Sequence, residues 1–154
     1  MRYKNGDLLV IPVLDQQYSF AQIVEDLPHG NVLLAVFSEL VPDGRVREVA
    51  NLELEEPVFL LETMDLRIKD GTWSIVGNLE VSKCIATPVY KVWVDPPGEF
   101  RMQDVRGNVG VPISPERASG MKFQKSFSPA VVEAALRGLH GLGPWRSAFE
   151  ELAF

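Results

Sequence analysis

An α+β fold, strands first and helices last, is what this sequence predicts, and three observations carry that expectation. Short apolar runs bounded by Gly, Pro, Asn and Asp recur from residue 7 to residue 95, the mark of short β-strands. The end of the chain switches to helical spacing after a start signal, "SPAVVEAALRGL". The 154 residues are 46% hydrophobic and 23% charged, enough to bury a core without a metal or disulfide staple. The expected architecture is a mainly antiparallel curled sheet, or a small SH3-like barrel, with two C-terminal helices packed on it. One domain over 1–154 is expected, strand-rich to 95, irregular over 96–127 and helical from 128.

"GDLLVIPVLDQQYSFAQIVE" (6–25) is two apolar runs joined by a polar turn, so it predicts a hairpin. Tyr18, Phe20 and Gln22 fall on one pleat face and Ser19, Ala21 and Ile23 on the other. Pro12 cannot donate to a ladder, which points to an edge or a bulge. "PHGN" (28–31) is a turn; "VLLAVFSELV" (32–41) begins as strand, and "PDG" (42–44) turns it back into "RVREV" (45–49). Pro57 divides the acidic alternation of "NLELEE" from the apolar run after it. "TWSIVGN" (72–78) and "YKVWVD" (90–95) read as further strands, and two more fit at "FRMQDV" and "MKFQKSF". Ser128 is placed as N-cap and Pro129 at the first helical position, with Val132, Ala135, Leu136 and Leu139 as the apolar stripe. "PWRSAFEELAF" predicts a second short helix, with Trp145, Phe149 and Leu152 on one side.

The formal charge is −6 and unevenly spread. Residues 1–70 hold six Lys/Arg against thirteen Asp/Glu, a net −7; residues 71–154 hold nine against eight, a net +1. An acidic front half repels a phosphate backbone and steers a basic partner, besides keeping the chain soluble. Cys84 is the only cysteine, so no internal disulfide forms; its small apolar neighbours predict a buried packing thiol in a reducing compartment. No apolar run has the length of a signal segment or a membrane span, so a cytoplasmic protein is expected.

Reactive constellations do not emerge from the spacing. His29 sits in a turn and His140 near a helix end, where it interacts with the helix dipole; neither has the spacing of a zinc site. No nucleophile elbow is present, and "RGNVG" (106–110) is neither a P-loop nor a dinucleotide fingerprint. In "ELEE" (53–56), Glu53 and Glu55 share a strand face pointing to water, an arrangement for solvation or for a basic protein rather than for acid–base chemistry. Trp73 and Trp93 are expected in the core or half-buried. No metal or cofactor is called for, and the expectation is a binding protein rather than an enzyme.

Three segments in order carry a family resemblance. "YKNGDLLVIPVLDQQYSFAQIVE" is similar to a Gly-Asp, Ile-Pro and Tyr-x-x-x-Gln/Arg-Ile/Val pattern. "LRIKDGTWSIVGN" resembles a Gly-x-Trp-x-Ile-x-Gly-Asn segment, and "SPAVVEAALRGLHGLGPW" resembles a C-terminal helix followed by Gly-x-x-x-Trp. The set resembles the immunity protein 26 family of bacterial polymorphic-toxin systems. The matching residues are Gly6, Asp7, Ile11, Pro12, Tyr18, Gln22, Trp73, Ile75, Gly77, Asn78 and Trp145, and their types are structural: turns, strand cores and helix packing. The resemblance implies a cytoplasmic protein that neutralises a cognate toxin by stoichiometric binding. If that toxin is a basic nuclease, Glu53, Glu55 and Glu56, with Glu48 and Asp43 beside them, are the candidate contacts standing in for substrate phosphates. Residues 96–127 match poorly and receive no transferred role.

A reading from another class is a small RNA-binding or RNA-cleaving β-barrel, with Arg101, Arg106, Arg117, Lys122 and Lys125 gripping a backbone. The acidic remainder and the missing catalytic set count against it. The oligomeric state has no signal in the sequence.

Overall fold

A computed structural model describes residues 2–42 and 56–154. The turn expected at 42–44, beyond Pro42, the return strand at 45–49 and most of the acidic alternation lie outside the described residues. The fold is α+β with mostly antiparallel sheets. Where one domain is expected, the chain forms two compact units: a larger one from residues 1–84 and 126–154, and a smaller one, Ile85–Lys125.

The larger unit is built on β1 (Asp7–Leu14), β2 (Gln17–Asp26), β3 (Asn31–Val36), β4 (Val41–Pro42), β5 (Phe59–Met64) and β6 (Ser74–Asn78). Its remaining strand, β10 (Ser126–Phe127), follows the smaller unit in sequence. The sheet order is β10-β5-β3-β2-β1-β6, with β4 paired to β2. All pairings are antiparallel except β10 on β5. Among the described residues the path runs open from β10 to β6, and the sheet is not closed into the SH3-like barrel.

The hairpin forms as the alternation predicts. Leu8 faces Gln22, Leu9 faces Ala21 and Val10 faces Phe20. Pro12 explains itself: β6 pairs with β1 only from Asp7 to Val10, and the β1–β2 register slips between Pro12 and Leu14. The missing N–H therefore falls where the ladder is already interrupted. Leu9, Ile11, Ala21, Ile23, Val32, Leu34, Val36, Phe59 and Leu61 come together on one sheet face as the core. Leu8, Val10, Phe20 and Leu33, on the other face, are buried as well.

The helix α3 (Pro129–Leu139) covers the core face with Val132, Ala135 and Leu136, all at 0% exposure. Ser128 is its N-cap by position, but its side chain makes no capping hydrogen bond. Leu139, expected in the stripe, is exposed at the last residue of the helix. The second C-terminal helix is a correction: Ser147–Leu152 is a 3-10 helix that buries Phe149 and Leu152. Gly141, Gly143 and Pro144 use up the length an α-helix would need. Trp145 precedes that helix, packing edge-on to Phe149 at 5.2 Å and lying over Gly138, where an added Cβ would come within 3.2 Å of its ring. Gly138 is thus a point of close approach as well as a weak helix former.

A short helix α1 (Leu66–Lys69) follows β5 and leads to Trp73, which is fully buried. Tyr3 is tied to the start of α1: its hydroxyl donates to Asp65 Oδ2 at 2.8 Å, and Lys69 Nζ lies 3.1 Å from the same oxygen. Burial, then the hydrogen bond to the Asp65 carboxylate, push the Tyr3 phenol well above its ordinary range, since both disfavour a second negative charge there.

The smaller unit holds a three-stranded antiparallel sheet, β7 (Tyr90–Val94), β8 (Glu99–Gln103) and β9 (Val109–Pro112), in that order. It also holds α2 (Pro115–Ser119), whose N-cap Ser114 accepts from the Arg117 N–H. The segment 96–127, expected to be irregular, is therefore ordered into two strands, a helix and β10.

Candidate functional site

Four residues of the family resemblance, Gly6, Asp7, Gln22 and Asn78, meet at one place in the larger unit. Gly6 has φ of +89°, open to glycine and strained for other residues, and its N–H donates to Ile23 O at 2.7 Å. Its carbonyl accepts from the Leu79 N–H at 3.0 Å and from Gln22 Nε2 at 3.3 Å. Gln22 is fully buried, and the same nitrogen donates to Leu79 O at 2.8 Å. Asp7, 5% exposed, accepts from the Lys4 N–H at 2.9 Å and, through Oδ1, from Asn78 Nδ2 at 2.9 Å. Asn78 Nδ2 also donates to Asn5 O. Gly6, Asp7, Gln22 and Asn78 thus lock the entry of β1 to the exit of β6. Gly77 sits opposite Leu8 where that ladder is irregular, and Ile75 packs on the core. Ile11 is in the core, and Tyr18 is half-buried opposite Pro12. These positions hold the scaffold.

Of the acidic candidates, Glu56 is exposed just before β5; Asp43, Glu48, Glu53 and Glu55 lie outside the described residues. Cys84 is exposed, not buried: its flanks resemble a core strand, but the segment joins no sheet. His140 takes the C-cap of α3, its N–H donating to Leu136 O, and His29 adopts a positive φ in the 28–30 turn. Among the described residues, no three of His, Cys, Asp and Glu gather in a group that could hold a metal ion. No helix of the described residues is long and apolar enough to cross a membrane.

The surface best suited to binding lies in the smaller unit. Trp93 pairs with Phe100 and Lys91 with Met102 across β7 and β8, so these four side chains share one sheet face. The Trp93 and Phe100 rings meet edge to face, centroids 4.9 Å apart, and Phe123 follows at 6.3 Å from Phe100. Phe123 is held there by a parallel bridge to Lys91, whose N–H donates to Lys122 O at 3.0 Å. Lys91 Nζ sits 5.4 Å from the Phe100 centroid and 4.8 Å from that of Phe123, and donates to Ala118 O on α2 at 3.0 Å. Such edge-to-face and cation–π contacts contribute about 0.5–1.5 kcal/mol each, enough to hold the rings in fixed places.

Trp93 is 53% exposed and Phe123 56%. Trp93 is expected in the core or half-buried; at 53% exposure it lies outside the core, with Gly98 so near that an added Cβ would come within 3.6 Å of its ring. Arg101 lies on the other face of β8, where its guanidinium donates twice to Glu99 Oε1 at 3.0 and 2.7 Å. Arg101 is therefore turned away from the rings and engaged by Glu99. The sequence offers "FRMQDV" and "MKFQKSF" as short strands, but nothing in it places Phe100 and Phe123 on one face with Trp93. The alternation of Phe100 and Met102 with Glu99, Arg101 and Gln103 is the signal that marks β8.

Comparison with protein-family models, with curated proteins and with solved structures returns no match to this chain.

Proposed function

We propose that this chain is an immunity protein, a cytoplasmic inhibitor that neutralises a cognate bacterial toxin by stoichiometric binding rather than by catalysis. The observation that carries this reading is the aromatic face of the smaller unit, where Trp93 and Phe123 are exposed on either side of a partly buried Phe100. Rigid, half-exposed aromatic side chains are what specific interfaces use as anchors, because they bury much area at little entropic cost. An interface on the order of 1,600 Å² is expected, with these rings supplying most of the energy. The ordered resemblance to the immunity protein 26 family supports the same reading. So does the acidic front half, which steers a basic toxin toward the chain and offers Glu53, Glu55 and Glu56 as mimics of substrate phosphates.

The experiment is co-purification with the product encoded directly upstream, together with suppression of that product's toxicity. Reversing Glu53, Glu55 and Glu56 to lysine should slow association strongly at low salt and little at high salt. An unchanged rate at low salt removes the charge-mimicry element.

A second reading, binding of single-stranded RNA, draws on the same rings, since bases stack on exposed aromatic side chains. It is opposed by the net charge of −6 and by the engagement of Arg101 with Glu99. Mobility shift with single-stranded RNA at two salt concentrations separates the two: tight, salt-sensitive binding favours this rival.

A further inference from the structure

Lys91 carries a charge that no carboxylate among the described residues neutralises. Its ammonium has three N–H donors, and the contacts it makes are the Ala118 carbonyl and the two ring faces. None of the ion pairs involves it. The side chain is half-buried and held within an aromatic face, so its charge sits in a poorer dielectric than water and gains much from an acidic partner.

The surrounding charge selects the same partner. The smaller unit holds six Lys/Arg against four Asp/Glu, a net +2, whereas the rest of the chain holds nine against seventeen, a net −8. A carboxylate-bearing element is therefore drawn to the smaller unit rather than to the remainder. A nucleic-acid strand fits less well. It needs several cations along its phosphates, and Arg101 is turned to the opposite face and paired with Glu99.

We infer that the aromatic face of the smaller unit seats an acidic–apolar element of the partner protein, a Glu or Asp carboxylate on the Lys91 ammonium and an adjoining apolar side chain between Trp93 and Phe123. The inference rests on the toxin-binding reading for who the partner is, and adds where it is held and by what chemistry. A toxin that is basic overall satisfies both: its net charge answers the acidic unit, and one local carboxylate answers Lys91.

The test is calorimetric titration of the intact chain with the upstream-encoded product, purified in an inactive form. Trp93→Ala combined with Phe123→Ala should weaken binding about 30-fold or more, the range of anchor residues. Lys91→Met keeps an apolar stem against the rings and removes only the charge; it should weaken binding about 10-fold and flatten the salt dependence. Thermal melts show which variants remain folded, and the methionine variant stands if the double variant does not. Undiminished binding by folded variants, with the wild type binding, overturns this inference and leaves the toxin reading in place. Failure of the wild type to bind removes both. Quenching of Trp93 fluorescence by oligouridylate, steep in salt and lost in Trp93→Phe, overturns it in favour of nucleic acid.

Discussion

Replacing Gly6 by alanine probes the cluster that holds the two ends of the larger sheet together. At φ of +89° an alanine costs about 1–2 kcal/mol in backbone strain. The new Cβ would also lie 2.6 Å from the carbonyl oxygen of Leu79, a distance that cannot stand. Relief requires Leu79 to withdraw, which loosens its N–H bond to Gly6 O at 3.0 Å and its acceptance of Gln22 Nε2 at 2.8 Å. Each such bond contributes about 0.5–1.5 kcal/mol, and the buried Gln22 amide is left short of a partner. The expected total is about 2–5 kcal/mol. Gly71 is the control: its φ is +81°, but a Cβ there meets nothing within 4 Å, so Gly71→Ala carries the dihedral cost alone. Urea denaturation of both variants measures the difference, and hydrogen exchange at the Leu79 amide locates it. Gly6→Ala should be the worse by at least about 1 kcal/mol, with faster exchange at Leu79. Equal costs for the two variants, with Leu79 unchanged, refute the close-approach argument.

Two further outcomes follow from single groups. The Tyr3 phenol titrates higher in the folded chain than in the unfolded one, where its pKa is about 10. Its contribution is therefore fully present below about pH 10 and is lost as pH rises toward the folded value, so thermal midpoints should fall more steeply above pH 10 in the wild type than in Tyr3→Phe. Parallel curves would contradict the Tyr3–Asp65 geometry. Cys84 is exposed, so a thiol reagent should modify one equivalent in the native protein at a rate close to that in denaturant. Protection by folding would return it to the buried role its flanks predict.

How far the fold could be read from residues depended on length and on partners. The β1–β2 hairpin was legible because eight- and ten-residue strands carry several turns of alternation, and even the bulge is announced by Pro12. The start of α3 was legible from Ser128-Pro129 and the buried positions Val132, Ala135 and Leu136. The smaller unit was legible in part: "YKVWVD" marks β7 and "FRMQDV" overlaps β8, whereas β9 and α2 span only four and five residues, too short for a period to stand out. Cys84 shows the reverse failure, since local apolar neighbours do not bury a residue whose segment has no sheet to join. The motif residues Gly6, Asp7, Gln22 and Asn78 were recognisable as structural, but their mutual hydrogen bonds span up to 71 positions of sequence and appear only in three dimensions. For the same reason Trp93 and Lys91 could be noticed, whereas the rings they meet, Phe100 and Phe123, could not be assigned to one face.

The central claim is that a fixed surface, not reactive groups, performs this molecule's work. Its most direct test is growth of cells expressing the upstream-encoded product with and without this chain, the dose of the chain being varied. The account predicts rescue that saturates near one chain per toxin molecule. Rescue by far fewer chains than toxin molecules would mean turnover, and would contradict it.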